Sequence, residues 1–193
     1  MKKTFLLLLC LLFAVASFVG CGLNPGSAPA GTAAKDEAEP TEAPAPAEET
    51  PAALPEDYAP DFCFSTVDDT GAEWTEACFA EAKLTMINFW EPWCGPCVGE
   101  MPELQKLSEN YRDKGFQILG VYSDFSYEKE MRQVVEQTGV QYPILKYVDA
   151  FSQFQTGYVP TTIFVDGSGH VVGETQIGSR DYDSWAAIVE GLL

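Results

Sequence analysis

Short apolar runs alternate with segments of helical period through roughly the C-terminal two thirds of the chain. The runs at 84–89 and 116–122 predict two buried strands. Apolar residues at helical spacing predict helices over 96–112, 128–138 and 181–191. Strands that alternate with helices are typical of the α/β class, in which helices flank a central sheet.

Two further pairs of segments complete the predicted strands. The segments 61–66 and 73–77 flank a turn signal, DDTG, and predict an N-terminal hairpin. The segments 161–165 and 171–175 flank the turn sequence DGSG and predict an antiparallel pair. The central sheet is therefore expected to be mixed.

The first twenty residues have the pattern of an export signal. Lys2 and Lys3 precede an apolar run over 5–19, which is shorter than the ~20 residues of a membrane span and typical of a signal-peptide core. The sequence FVGC, ending at Cys21, resembles a bacterial lipobox and predicts cleavage before Cys21 and lipidation of its sulfur. An uncleaved anchor and an ordinary secretory signal are the alternatives.

The segment that follows is rich in Ala, Pro and Glu and has almost no large apolar residue. Such a composition cannot bury enough surface to offset the entropy of ordering, which predicts a disordered tether. The expected organisation is a signal peptide over 1–20, a lipidated Cys21 with its tether over 21–57, and one domain over 58–193.

The negative net charge of the chain limits the kinds of molecule that it is expected to bind. The formal net charge is −18, which argues against nucleic acid, whose binding depends on cationic contacts. The acidic tether is expected to be repelled by anionic lipid headgroups and to hold the domain away from the membrane surface.

The candidate chemistry lies where the first buried strand meets the first helix. Cys94 falls at the helix N-terminus, where free N–H groups and the helix dipole stabilise a thiolate, the nucleophile of disulfide exchange. Cys97 is one turn further on and close enough to form a disulfide. Pro96 is tolerated in the first turn, and Gly95 leaves the approach to Cys94 open.

The cysteine pair has two other interpretations. A zinc site needs a second pair of ligands, whereas Cys63 and Cys78 are far apart in sequence and the chain has one histidine; no metal is therefore expected. A purely structural disulfide is the other alternative. The flanking Trp90 and Trp93 and the strand–helix context favour redox chemistry.

The sequences NFW at 88–90 and WCGPC at 93–97 resemble the active site of the thioredoxin superfamily. The sequence EMPEL at 100–104 resembles the TlpA/ResA-like branch of extracytoplasmic thiol-disulfide oxidoreductases, and VPTT at 159–162 resembles the family's cis-proline loop. The resemblance extends over 58–193. It implies a thioredoxin-like fold, with the central insertion of that branch between the second and third helices.

The resemblance also implies a two-step exchange, in which Cys94 attacks a substrate disulfide and Cys97 resolves the mixed disulfide. An aspartate deprotonates the second cysteine in ordinary thioredoxins, but the matching residue here is Asn88, which accepts no proton. The ResA-like pattern implies Glu100 as the base. The alternative for Glu100 is a first-turn acid favoured by the helix dipole, and Glu91 is a second candidate base.

Around this pair, Trp90, Trp93, Gly95 and Pro96 are expected to support the active site. A cis Pro160 is expected to place the backbone of the preceding residue beside the nucleophile, where it pairs with a substrate strand.

By resemblance, the protein is an enzyme that reduces disulfides of extracytoplasmic proteins at the outer face of the cell membrane. No cofactor is expected, so electrons would come from a membrane thiol donor of the CcdA type. Cytochrome c maturation, rescue of methionine sulfoxide reductases and general disulfide reduction are the candidate roles. The alternatives are a disulfide-forming oxidase and a non-catalytic thioredoxin-fold module for binding or metal delivery.

The remaining cysteines suggest a structural bridge. A hairpin centred between Thr70 and Gly71 sets Cys63 opposite Cys78, and disulfides persist in extracytoplasmic compartments. A Cys63–Cys78 disulfide is therefore predicted. The alternative is two free thiols, because a small change of register separates the pair.

Overall fold

A five-stranded mixed sheet is the centre of the fold in the computed structural model, which describes Leu54 and residues 58–193. The strands of the chain are β1 (Ser65–Val67), β2 (Glu73–Thr75), β3 (Leu84–Phe89), β4 (Phe116–Tyr122), β5 (Ile144–Lys146), β6 (Thr161–Asp166) and β7 (Val171–Ile177). The sheet has the order β5-β4-β3-β6-β7, and β1 pairs with β2 in a separate hairpin. The predicted α/β class, mixed sheet and N-terminal hairpin are confirmed.

Three α-helices and several short 3-10 helices connect these strands. The α-helices are α1 (Gly95–Tyr111), α2 (Glu128–Thr138) and α3 (Tyr182–Leu192), and the 3-10 helices are Glu76–Glu81, Arg112–Lys114, Phe125–Tyr127 and Asp149–Phe154. The predicted central insertion corresponds to β5 and the 3-10 helix after it. None of the helices in these described residues is long and apolar enough to span a membrane.

The central strand β3 is buried along its whole length. It pairs in parallel with β4 and antiparallel with β6. Leu84 and Met86 pack in the core on the helix side, whereas Ile87 and Phe89 pack in the core on the opposite side. A strand covered on both faces is buried at successive positions. Its two polar residues, Thr85 and Asn88, are buried with hydrogen-bond partners.

The three helices share one face of the sheet. Met101, Leu104 and Leu107 of α1 are fully buried there, together with Trp185 and Val189 of α3. Full burial of a large apolar side chain contributes roughly 1.5–3 kcal/mol, so this layer fixes α1 firmly over β3.

A cluster of phenylalanines covers the other face. The ring of Phe151 lies 5.1 Å from that of Phe64 and 5.8 Å from that of Phe89, centroid to centroid, and Phe62 lies 5.5 Å from Phe79. These contacts join the hairpin segment and the central insertion to the sheet.

The strand predicted over 61–66 is shorter than expected and begins at Ser65. Its first residues are attached elsewhere: the backbone N–H of Asp61 donates to Gly169 O at 2.9 Å, and the Asp61 carboxylate accepts from Val171 N at 2.7 Å. The segment is therefore held to the β6–β7 turn before it reaches the hairpin.

The predicted Cys63–Cys78 disulfide is wrong. The hairpin pairs Ser65 with Thr75 and Val67 with Glu73. It is therefore centred on Thr70, and not between Thr70 and Gly71 as predicted. In addition, the chain leaves β2 for a 3-10 helix before it reaches Cys78. Both cysteines are free thiols, with Cys63 exposed and Cys78 buried.

The predicted signal peptide, the lipidation site at Cys21 and almost all of the predicted tether lie outside the described residues. Leu54, the one described residue of the tether segment, is exposed.

Candidate active site

The cysteine pair lies at the carboxyl end of β3, where the chain turns into α1. The backbone N–H of Trp90 donates to Val121 O of β4 at 3.0 Å, and that of Cys94 donates to Glu91 O at 3.0 Å. Cys94 caps α1, because its sulfur accepts from Cys97 N at 3.2 Å. Cys94 and Cys97 form a disulfide, at the strand-to-helix turn that the sequence predicts.

The two sulfurs differ in access. Cys94 retains 6% exposure and Cys97 only 1%. A Cβ added at Gly95 would meet no atom within 4 Å, so the surface beside the pair is open. Trp93 is 57% exposed next to Cys94, whereas Trp90 is buried in the same core cluster as the two cysteines. Of the two cysteines, Cys94 is therefore the more exposed to an incoming group.

The loop before β6 forms the second wall of the site. The Val159–Pro160 peptide bond is cis, as the resemblance implies. Cys94 Sγ lies 3.6 Å from the carbonyl oxygen of Val159. The Pro160 carbonyl accepts from Gly178 N at 2.9 Å, which holds the loop to the end of β7.

Behind Cys97, the Glu100 side chain is buried and surrounded by donors. Its Oε1 accepts from Asn88 Nδ2 at 3.2 Å. Its Oε2 accepts from the backbone N–H of Arg180 at 3.0 Å and from Trp185 Nε1 at 3.3 Å. Burial raises the pKa of Glu100 above its ordinary value, and these three hydrogen bonds offset part of that rise.

Comparison with known proteins identifies the family of this chain. The family model described as AhpC/TSA matches residues 55–173, which is more than half of the chain. The chain belongs to the AhpC/TSA family.

Named relatives of this AhpC/TSA chain confirm the resemblance to ResA-like proteins. The thiol-disulfide oxidoreductase ResA of Oceanobacillus iheyensis is 31% identical over 118 residues, which cover 60% of this chain and 61% of that protein. The thioredoxin-like protein YneN of Bacillus subtilis is 30% identical over 125 residues, covering 63% of this chain and 70% of that protein. The chain thus spans about three fifths of the ResA protein it matches.

Among solved structures, a thiol:disulfide interchange protein of the thioredoxin family from Chlorobium tepidum superposes with a TM-score of 0.61 at 24% identity. The match covers 72% of this chain and 99% of that one. The likeness shows that this AhpC/TSA-family chain has the thioredoxin-like fold.

Glu91, the second candidate base, has a different environment in this AhpC/TSA fold. Its Oε1 accepts from Ser123 N at 2.9 Å and also from the Ser123 hydroxyl, and its Oε2 accepts from Asp124 N at 3.2 Å. The Glu91 carboxylate therefore joins the loop before Cys94 to the loop after β4.

The fold separates the cysteines into two groups. Cys94 and Cys97 lie in the core on the helix side of the sheet, whereas Cys78 lies in the phenylalanine-rich core on the other face. Burial, with a smaller effect of the nearby Glu81 and Glu76 carboxylates, raises the pKa of the Cys78 thiol to about 12. Cys78 is therefore a packed apolar group rather than a nucleophile.

Sequence reasoning missed the partners of Glu100 on the C-terminal segment. Helical spacing predicts a helix over 181–191, but nothing in that spacing indicates that Trp185 has a carboxylate partner 85 positions away. Arg180 contacts Glu100 through its backbone N–H. Most residue types could donate this hydrogen bond, so the side chain at position 180 does not predict it.

Proposed function

We propose that this chain is a thiol-disulfide oxidoreductase that reduces disulfides of extracytoplasmic proteins through Cys94 and Cys97. The observation that carries the proposal is the Cys94–Cys97 disulfide at the N-terminus of α1, with Cys94 accessible beside the Val159 carbonyl and Cys97 enclosed. An asymmetric pair of this kind separates a nucleophile from a resolving thiol.

The proposed cycle starts from the reduced pair. The Cys94 thiolate attacks one sulfur of a substrate disulfide, forms a mixed disulfide and releases the other substrate sulfur as a thiolate. Cys97 then attacks the Cys94 sulfur, which closes the Cys94–Cys97 disulfide and releases the second substrate thiolate. Two electrons pass to the substrate, and a dithiol donor must return them to the enzyme.

Glu100 is proposed as the base for the second step. It lies three residues after Cys97 on α1, and residues at this spacing share a helix face. Its burial disfavours the charged carboxylate, so it takes a proton more readily than an exposed glutamate does. The Cys97 proton would move to the Glu100 carboxylate as the resolving thiolate forms.

The charges around the pair support the reducing direction. Residues 84–105 contain no lysine, arginine or histidine but include Glu91, Glu100 and Glu103. The nearby Arg180 guanidinium is held by the Gly178 carbonyl at 2.9 Å and by Gln176 Oε1 at 2.7 Å. A site with few cations stabilises the thiolates of the reduced form weakly, which favours the disulfide form and makes the dithiol a good reductant.

The proposed location is the extracytoplasmic face of the cell membrane, with an anchor on the lipidated Cys21. A single acyl chain binds membranes only marginally, so stable anchoring implies at least two chains. The electron donor would be a membrane thiol transporter of the CcdA type. Disulfide-bonded proteins of this compartment, including those of cytochrome c maturation, would be the substrates.

The activity is tested by insulin-type disulfide reduction with purified variants. Cys94→Ser is expected to abolish reduction because no nucleophile is left. Cys97→Ser is expected to accumulate mixed disulfides, because attack proceeds and resolution does not. Glu100→Gln is expected to slow resolution by about 10²-fold or more while attack is less affected. Full activity of Cys94→Ser would refute the proposed role of the pair.

The anchor is tested by membrane partition of the full-length protein in bacterial cells. The Cys21→Ser variant should lose its membrane association, and mass spectrometry of the wild-type protein should show an acylated residue 21. An unmodified residue 21 would contradict the anchoring proposal and would leave the exchange chemistry untouched.

A further inference from the structure

The Glu100 carboxylate is held by donors from two distant parts of the chain. Asn88 of β3 donates to Oε1. Oε2 accepts from the backbone N–H of Arg180, which precedes α3, and from the indole of Trp185 within α3. Trp185 is fully buried, and the Arg180 guanidinium lies over its ring, 5.0 Å from the centroid.

We propose that Trp185 is a positioning residue for disulfide exchange, which acts through its indole N–H on the Glu100 carboxylate and sets the proton affinity of that group. This proposal rests on the role of Glu100 proposed above. It makes the C-terminal helix α3, which lies outside the cysteine motif, part of the apparatus for the resolving step.

The chemistry of an indole suits this task. An indole N–H is a donor only, so it cannot take the proton that Glu100 receives. A hydrogen bond to a carboxylate is stronger than one to a neutral carboxylic acid, so Trp185 favours the charged form against the effect of burial. The indole therefore keeps Glu100 available as a base in a buried site.

Two other tryptophans of the described chain show that this contact is specific. Trp90 Nε1 is buried without a hydrogen-bond partner, so an indole in this core does not need a carboxylate in order to pack. Trp74 Nε1 donates to Asp68 Oδ2 at 3.0 Å in the hairpin. The Trp74–Asp68 pair has the same chemistry as Trp185–Glu100 on the other side of the sheet, and it provides a matched control.

The groups that face Glu100 define the expected titration. The charge of the Arg180 guanidinium favours the carboxylate form of Glu100. Burial raises the pKa of Tyr142, and the nearby Glu100 carboxylate raises it further. The Tyr142 phenol therefore stays neutral. The amide of Asn88 does not titrate. Cys97 is the remaining group, and it is bonded in the oxidised protein.

The test follows the Glu100 carboxyl carbon by NMR in oxidised, full-length protein as the pH is varied. Trp185→Phe keeps an aromatic ring and removes the donor, and it is expected to move the titration midpoint upward by roughly one pH unit. Trp74→Phe is expected to leave the midpoint unchanged. In single-turnover kinetics, the pH profile of the resolving step should move by the same amount in Trp185→Phe, and the attack by Cys94 should not change.

A second measurement needs no change at Trp185. In the wild-type protein the indole N–H resonance of Trp185 should titrate with the same midpoint as the Glu100 carboxyl, and this titration should disappear in Glu100→Gln. The Trp90 resonance should stay flat. An unchanged midpoint in folded Trp185→Phe, or a Trp185 resonance that ignores the Glu100 titration, would overturn the positioning role.

The outcomes separate this inference from the proposed function. If Glu100→Gln changes the resolving step but Trp185→Phe moves neither titration nor profile, Glu100 is the base and Trp185 is structural. If Trp185→Phe moves the Glu100 titration but Glu100→Gln resolves at the wild-type rate, the contact is real and the base role fails.

Discussion

Replacement of Asn88 by aspartate tests the electrostatics of the site behind Cys97. In the wild-type protein the Asn88 amide donates to Glu100 Oε1 at 3.2 Å and to Thr162 Oγ1 at 3.0 Å. Asn88→Asp keeps the size of the side chain and turns this donor into a second carboxylate. Both carboxyl groups are enclosed, because Asn88 and Glu100 have only 2% and 3% exposure.

The size of the effect follows from the 3.2 Å separation. Two unit charges at that distance repel by about 5 kcal/mol at an effective dielectric constant of about 20. This repulsion corresponds to nearly four pKa units, so the pair should share one proton at neutral pH. Thr162 can still donate its hydroxyl hydrogen to the new carboxylate, which keeps the site satisfied in the shared-proton state.

The stability of the variant should depend on pH with a defined sign. The folded pair binds its proton more tightly than the unfolded chain, so the variant is least destabilised below about pH 4 and loses stability as the pH rises through the raised folded pKa. The slope is about 1.4 kcal/mol per pH unit where the folded pair holds one more proton than the unfolded chain. Burial also raises the pKa of Glu100 in wild type, so the difference between variant and wild type grows above that wild-type pKa.

The assay is guanidinium unfolding of oxidised wild type, Asn88→Asp and Asn110→Asp at a series of pH values. Asn110 is exposed on α1, so its substitution makes the same charge change without burial and should show no such slope. A difference between Asn88→Asp and wild type that stays constant from pH 4 to pH 8 would refute the argument that the two groups interact in an enclosed site.

Three other predictions concern the rest of the fold. In folded, unreduced protein, iodoacetamide should label the exposed Cys63 about 10³-fold faster than Cys78, whose pKa burial raises to about 12; equal labelling, or no labelling before reduction, would contradict the free-thiol assignment. Burial raises the pKa of Asp68, but donors in its turn outweigh burial and lower it below 3.8 overall. Asp68→Asn should therefore cost about 1–3 kcal/mol at neutral pH, and the difference should shrink as the pH falls through that lowered pKa, which unfolding curves at several pH values would check. Gly120→Ala should lower the free energy of unfolding by about 1–3 kcal/mol in denaturant titration, because the new Cβ would lie 2.7 Å from Ile144 Cδ1; a variant as stable as wild type would show that the contact relaxes freely.

The elements nearest the cysteine pair were predictable because their patterns are local. The six-residue apolar run became β3 at the expected bounds, and the helical spacing after it became α1. The carboxyl end of a strand that leads into a helix then places Cys94 at a helix N-terminus from sequence alone.

The surroundings of Glu100 were not predictable in this way. Asn88 lies 12 positions away and Trp185 lies 85 positions away, and a backbone donor such as that of Arg180 leaves no mark in the sequence. The Cys63–Cys78 prediction failed for a related reason. The turn residues alone do not determine the centre of the hairpin. A register error of one residue gives each strand residue a different cross-strand partner, so the predicted pair is lost.

The reduction potential of the Cys94–Cys97 pair tests the central claim, which is that the chain is a reductase, most directly. The protein would be equilibrated with dithiol–disulfide buffers of known potential, and the oxidised fraction would be counted by alkylation and mass spectrometry. The acidic surroundings of the pair predict a value near the roughly −270 mV of thioredoxin. A value near the roughly −120 mV of a strong oxidant would contradict the reductase assignment and identify the chain as a disulfide donor.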